Sequence, residues 1–147
     1  MRVEVLGRSV PGFDRESIRQ FVAKCYGRLE HLDATGAHRH TDLTVSIISD
    51  RAMKELNRTW RDRDATTDIL TFSADEVSPD GQFRPLGDLA ISYPQARRQS
   101  VEEGHSIAEE FRYLILHGLI HALGWDHETD EGEMNALELK ARKLVGL

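Results

Sequence analysis

The sequence predicts a single-domain α+β fold over residues 1–147: a small four-stranded mixed sheet packed with about five helices. Three observations predict it. The chain has 147 residues, which suits one domain at about 100–200 residues each. Its hydropathy pattern switches between strand and helix periods in the order β-α-β-α-β-β-α-α-α. Four strands are too few for a larger doubly wound sheet, so a mixed sheet with packed helices is the fitting architecture.

Taken in order, Val3 and Val5 alternate with charged residues and form a first strand. Pro11-Gly12 breaks the chain, and Asp14 caps a helix that Phe13 and Ile18 staple. Ile18, Phe21, Val22, Cys25, Tyr26 and Leu29 give that helix its apolar stripe, with Cys25 as a small core residue. Residues 31–41 are polar and carry His31, His38 and His40; nothing fixes their geometry, so they read as a solvated loop. Leu43, Val45 and Ile47 mark the second strand. Ser49 or Asp50 caps a helix whose stripe is Met53, Leu56 and Trp60.

Ile69 to Phe72 reads as the third strand, residues 75–86 as turn-rich, and Asp88 to Ser92 as the fourth strand. A helix from about Tyr93 to Glu103 is closed by Gly104. Ser106 and Glu109 form a capping box for a helix through Phe111, Leu114, Ile115, Ile120 and Leu123, ended by Gly124. That helix is apolar on most faces, which places it at the centre of the fold. Asp130 and Glu133 cap the last helix, with a stripe of Met134, Leu137, Ala141, Leu144 and Val145.

Composition narrows the chemistry. Apolar residues are 39% and charged residues 30%, a globular balance with no run near the ~20 apolar residues of a membrane span. The N-terminus lacks an apolar h-region, so it is not a signal peptide and a cytoplasmic location is expected. One cysteine excludes a disulfide framework and a zinc site of several thiolates, leaving His, Asp or Glu as metal ligands. The net charge is −6, against nucleic-acid binding by the whole surface. Residues 1–100 balance at 15 basic and 15 acidic, whereas 101–147 carry 4 and 10. A polyanion would therefore need a local basic patch or a metal.

The informative stretch is His117-Gly118-Leu119-Ile120-His121-Ala122-Leu123-Gly124-Trp125-Asp126-His127. His117 and His121 are one helical turn apart on one face, which suits two ligands of one ion. Gly124 ends the helix and lets His127 approach from the loop. Three protein ligands and an open fourth position are the pattern of a catalytic zinc site. A His pair at this spacing also occurs by chance. Against chance stand two bare imidazoles on an apolar helix and a mid-helix glycine, Gly118, which costs about 1 kcal/mol relative to alanine. In the H-E-x-x-H peptidase motif a Glu follows the first His as general base; here that position is Gly118. For Asp126 three roles stay open: a carboxylate orienting a ligand His, help to the water, or a turn cap, the first and last weighing equally.

His-Gly-x-x-His-x-x-Gly-x-Asp-His closely resembles the signature of the YbeY family, bacterial endoribonucleases of rRNA maturation and ribosome quality control. Leu56-Asn57-Arg58-Thr59-Trp60-Arg61, Thr67-Asp68-Ile69-Leu70-Thr71-Phe72 and Leu86-Gly87-Asp88-Leu89-Ala90-Ile91 resemble three further segments of the family. The resemblance covers residues 43–140 in order and spacing. Thr66 stands where proline is common, Ala122 where a larger apolar residue is usual, and Trp125 where another aromatic is usual. None of the three is a proposed ligand; Trp125 is placed to alter how a base or loop packs above the metal.

The resemblance implies a metal in a cleft on the central helix, held by His117, His121 and His127, with zinc as the ion. It maps the family's functional arginine onto Arg61 and implies Arg61, His117 and His121 as catalytic. The implied activity is endonucleolytic cleavage of single-stranded RNA, with the 16S rRNA precursor as substrate and the small ribosomal subunit as partner. In such a mechanism metal and Arg61 would stabilise charge on a phosphodiester. From spacing alone the ordinary reading of Arg61 is a surface ion pair with Asp62 or Asp64. Arg51, Lys54, Arg58, Arg61 and Arg63 give a local basic track, and Arg97 and Arg98 a second candidate patch. Two rivals remain: a peptidase or amidase, and a ribosome-assembly factor that binds RNA without cutting it.

Overall fold

Alternation in 42–48 puts Leu43, Val45 and Ile47 on one buried face, and this strand sits inside the sheet. The computed structural model describes residues 1–35, 39–74, 78–80, 82–125 and 132–147. Strands β1 (Arg2–Gly7), β3 (Asp42–Ile48) and β6 (Gly87–Ser92) run parallel, and β4 (Ile69–Ser73) pairs antiparallel with β6 at the edge. The order β1-β3-β6-β4 is the mixed four-stranded sheet that the sequence predicts.

The pleat sorts the helices. Leu43, Val45, Ile47, Leu89 and Ile91 join the main core with α1 (Arg15–Leu29), α4 (Ile107–Ala122) and α5 (Glu133–Val145). Leu70 and Ala90 face the other way and pack with Met53 of α2 (Asp50–Arg61), flanked by Leu56 and Phe72. Helix α3 (Tyr93–Glu103) follows β6 directly, with Ser92 as its N-cap and Gly104 closing it at φ 72°. The expected caps of α1 and α4 are in place: Asp14 accepts from Ser17 N at 2.8 Å and Ser106 from Glu109 N at 3.1 Å. For α2 the cap is Ser49, which accepts from Ala52 N at 3.1 Å.

Helix α4 is the central helix, with ten buried residues that include Phe111, Leu114, Ile115 and Leu119. Gly118 explains how it reaches the sheet. A Cβ there would stand 2.8 Å from Ile69 Cδ1 and 2.8 Å from Leu89 Cδ2, so the glycine lets α4 settle directly on β4 and β6. At its end Gly124 takes φ 103°. Its N–H donates to His121 O at 2.9 Å and that of Trp125 to Ile120 O at 3.2 Å, the paired bonds of a Schellman turn.

Four expectations change. Residues 31–41 are not a plain solvated loop: Glu30–Leu32 form a 3-10 turn, and β2 (Arg39–His40) pairs with β5 (Phe83–Arg84) as a small second sheet. His40 is 3% exposed, because Tyr26 Oη and Thr35 Oγ1 meet its two ring nitrogens at 3.0 and 3.3 Å. Trp60 leaves the buried stripe of α2 and is 63% exposed, since α2 runs past the edge strand. Gly132 holds the N-cap position of α5; Asp130, expected there, lies outside the described residues, as does His38.

Candidate active site on the central helix

The helical repeat of α4 carries His117 and His121 to the same face, where their rings stand 4.7 Å apart between centroids. The two Nε2 atoms are 3.1 Å apart. Behind them, Glu138 of α5 brings Oε1 to 3.0 Å from His117 Nδ1. Glu138 is 8% exposed. A carboxylate accepts, so Glu138 is placed to take a hydrogen bond from Nδ1 and, with a cation bound, to leave Nε2 as the ligating atom.

That donor set fits a cation. Two nitrogens each about 2.0–2.1 Å from a tetrahedral zinc lie about 3.3 Å apart, close to the spacing of this pair, and a carboxylate behind a ligating His is the usual support. His127 and Asp126 lie outside the described residues, and among those described no group of three or more His, Cys, Asp or Glu is arranged to hold a metal. The structure thus brings together two of the three expected ligands. It also supplies Glu138, whose signal in the sequence is a charged residue among the buried positions Met134, Ala141 and Val145 of the last helix.

His117 opens into a cleft of about 630 Å³. Asp68, Glu102, Glu103, Glu110 and Glu138 line it, with Arg142 as the one arginine among them; its guanidinium lies 4.8 Å over the Tyr113 ring. Glu110 meets His105 Nε2 at 2.6 Å, His105 stacks on Tyr113 at 5.6 Å, and Asp68 accepts from Gln99 at 3.3 Å. Five carboxylates against one arginine leave the wall net acidic, which disfavours phosphates unless a further cation offsets it.

Arg61 is not in the expected ion pair. Its Nη2 donates to Thr71 O at 2.8 Å, and its guanidinium lies 5.1 Å over the Phe72 ring. Asp64 instead pairs with Lys54 at 3.7 Å, and Asp62 turns the helix end with φ 55°. Buried Asn57 fastens that end by donating to Ala65 O at 2.8 Å. Arg61 therefore caps the open edge of β4, two residues from Ile69, on which Gly118 packs.

The second basic patch does not stand free. Arg98 binds Asp50 at 2.7 Å and Gln95 at 2.7 Å. Burial raises the Asp50 carboxyl, but the bonds from Arg98, Ser92 and Thr66 outweigh it and hold it below the usual range. Thr66, the residue in a proline position, thus has a role in this cluster at 3.2 Å. Trp125 is tied down as well, donating from Nε1 to Leu32 O at 2.9 Å.

Comparison with known proteins follows the same lines. Residues 10–146 match the family model described as Endoribonuclease YbeY. An Endoribonuclease YbeY of Persephonella marina is 38% identical over 125 residues, covering 84% of this chain and 79% of that one. Another, of Moorella thermoacetica, is 42% identical over 117 residues, with 75% and 73% covered. A solution structure of a Thermotoga maritima protein superposes with a TM-score of 0.56 at 22% identity, covering 97% of this chain and 88% of that one, and shares the fold.

Proposed function

The chain belongs to the Endoribonuclease YbeY family, and from that premise we propose that it is a zinc-dependent endoribonuclease cutting single-stranded RNA. Its setting is the cytoplasm, in 3′-end maturation of 16S rRNA and ribosome quality control on the small ribosomal subunit. The observation that carries the reading is the pair of Nε2 atoms at 3.1 Å on a helix pressed against the sheet. His117, His121 and His127 hold the ion, His127 by its place in the family signature.

A zinc ion held there would supply Lewis-acid polarisation to the phosphodiester and help activate the nucleophile at neutral pH. The chain's own residues do the rest. Glu138 keeps His117 in the tautomer whose Nε2 donates a lone pair. Arg61, anchored on Thr71 O through one nitrogen, has further N–H groups for phosphate oxygens and stabilises charge that grows in the transition state.

The peptidase reading weakens on one contact. Gly118 sits where a general-base Glu would stand, and any side chain there meets Ile69 and Leu89 at once.

The test is cleavage of an end-labelled single-stranded RNA by zinc-loaded protein, by chelated protein and by Arg61→Ala. We expect cutting by the loaded parent alone, with Arg61→Ala keeping its zinc and losing about 10²–10³-fold in rate. Undiminished cutting by Arg61→Ala removes Arg61 from the mechanism. Tight RNA binding without cutting by the loaded parent points to an assembly factor instead.

A further inference from the structure

Trp60 continues the apolar stripe of α2, one turn beyond Leu56 and two beyond Met53, yet Met53 is fully buried and Trp60 is 63% exposed. The stripe has outrun the sheet, because β4 is the edge strand. Among the described residues Trp60 is the one aromatic in the group of exposed large hydrophobics. An amphipathic helix that carries its apolar face beyond its own core presents that face to a partner.

The ring is held in place. It meets Phe72 edge-on, with centroids 6.3 Å apart and planes at 73°, a contact that takes up at most one face of the indole. Arg61 lies against the same phenyl ring and on Thr71 O. Arg58, one turn before Arg61, is paired with Glu55 at 2.5 Å, and Arg63 lies just beyond the helix, exposed and without an ion pair among the described residues. The platform is aromatic, with Arg61 and Arg63 beside Asp62 and Asp64, while the cleft at His117 is lined mainly by carboxylates.

Alternation along β4 fixes the geometry. Ile69 points to the face that carries α4 and His117, Phe72 to the face that carries α2 and Trp60. Arg61 stands at the open edge of that strand, on Thr71 O.

We propose that Trp60 is a stacking platform for one unpaired nucleobase of the RNA substrate, away from the bond that is cut. The inference rests on RNA being the substrate. Every base has a π-face, so the subsite tolerates sequence. It demands a base free of its helix, so it selects single strands over duplexes.

The test compares zinc-loaded parent, Trp60→Ala and Trp60→Phe on an end-labelled single-stranded RNA oligomer and on versions with one abasic nucleotide moved along it. We expect Trp60→Ala to raise KM about five- to a hundred-fold, Trp60→Phe to retain most of the parent's KM, and kcat to move little. One abasic position should raise the parent's KM by a similar factor and add nothing in Trp60→Ala. An unchanged KM in Trp60→Ala, or abasic losses that add to it at every position, overturns the platform while leaving the nuclease reading intact. A parent that neither binds nor cuts the oligomer overturns the nuclease reading itself, and the platform with it.

Discussion

His117 and Glu138 lie 21 residues apart in the chain and meet at 3.0 Å between Nδ1 and Oε1, joining the central helix to the last one. Spacing marks Glu138 as a charge on the buried stripe of its helix but does not name its partner, which is on another helix. Once α5 docks, its carboxylate is placed to accept from Nδ1 of a proposed ligand. Glu138→Ala is expected to weaken zinc binding about 10–100-fold, measured by competition with a chromophoric chelator. Unchanged affinity would reduce Glu138 to a structural contact.

Gly118 is needed for contact rather than for conformation. In Gly118→Ala the added Cβ presses on the terminal methyls of Ile69 and Leu89. Overpacking of about 1–3 kcal/mol is offset by about 1 kcal/mol of helix propensity, so a net loss of up to about 2 kcal/mol is expected in urea unfolding. Gly118→Val should lose more, because its branches have nowhere to go. A valine variant as stable as the parent would contradict the close approach of α4 to the sheet.

His40 makes stability depend on pH. Burial lowers its pKa, Arg84 lowers it further, and Asp33 and Glu30 only partly compensate. The folded pKa is thus below the unfolded value of about 6.5. The unfolded chain binds the proton first, so stability is fully present above about pH 6.5 and falls as pH drops toward the folded value. The slope from this group is at most about 1.4 kcal/mol per pH unit. Denaturant titrations of parent and His40→Gln across that window should diverge, with the variant flatter; parallel curves would sink the assignment.

Cys25 is fully buried on α1, and burial pushes its thiol up to about 12. The thiolate is the reactive form, so a thiol reagent at pH 8 should leave the native protein unmodified and label it rapidly in denaturant. Prompt labelling of the folded chain would show that α1 opens far more readily than its packing implies.

Much of this fold is readable from hydropathy because its elements follow their periods closely. The alternation Leu43, Val45, Ile47 gives an interior strand, and the capping residues Asp14 and Ser106 give helix starts within a residue. The misses share a cause, in that long-range contacts decide them. His40 reads as solvated because Tyr26, Thr35 and the β2–β5 pairing that enclose it are scattered along the chain. Trp60 reads as core because its spacing from Met53 is helical; only the strand order reveals that the sheet ends before it. Arg61 pairs by spacing with Asp62 or Asp64, whereas the fold offers it the edge carbonyl of Thr71. At the site, the His117–His121 pair follows from the helical turn, and the partner of Glu138 appears only when α5 is docked.

If three imidazoles hold one zinc that the cleavage requires, zinc content and RNA cleavage fall together. Both are measured on the same purified samples of parent, His117→Ala, His121→Ala and His127→Ala. One zinc per chain is expected in the parent, with loss of metal and of cutting in each variant. Full zinc and full cutting in His127→Ala, or cutting by parent stripped of metal, would overturn the three-imidazole, zinc-requiring site.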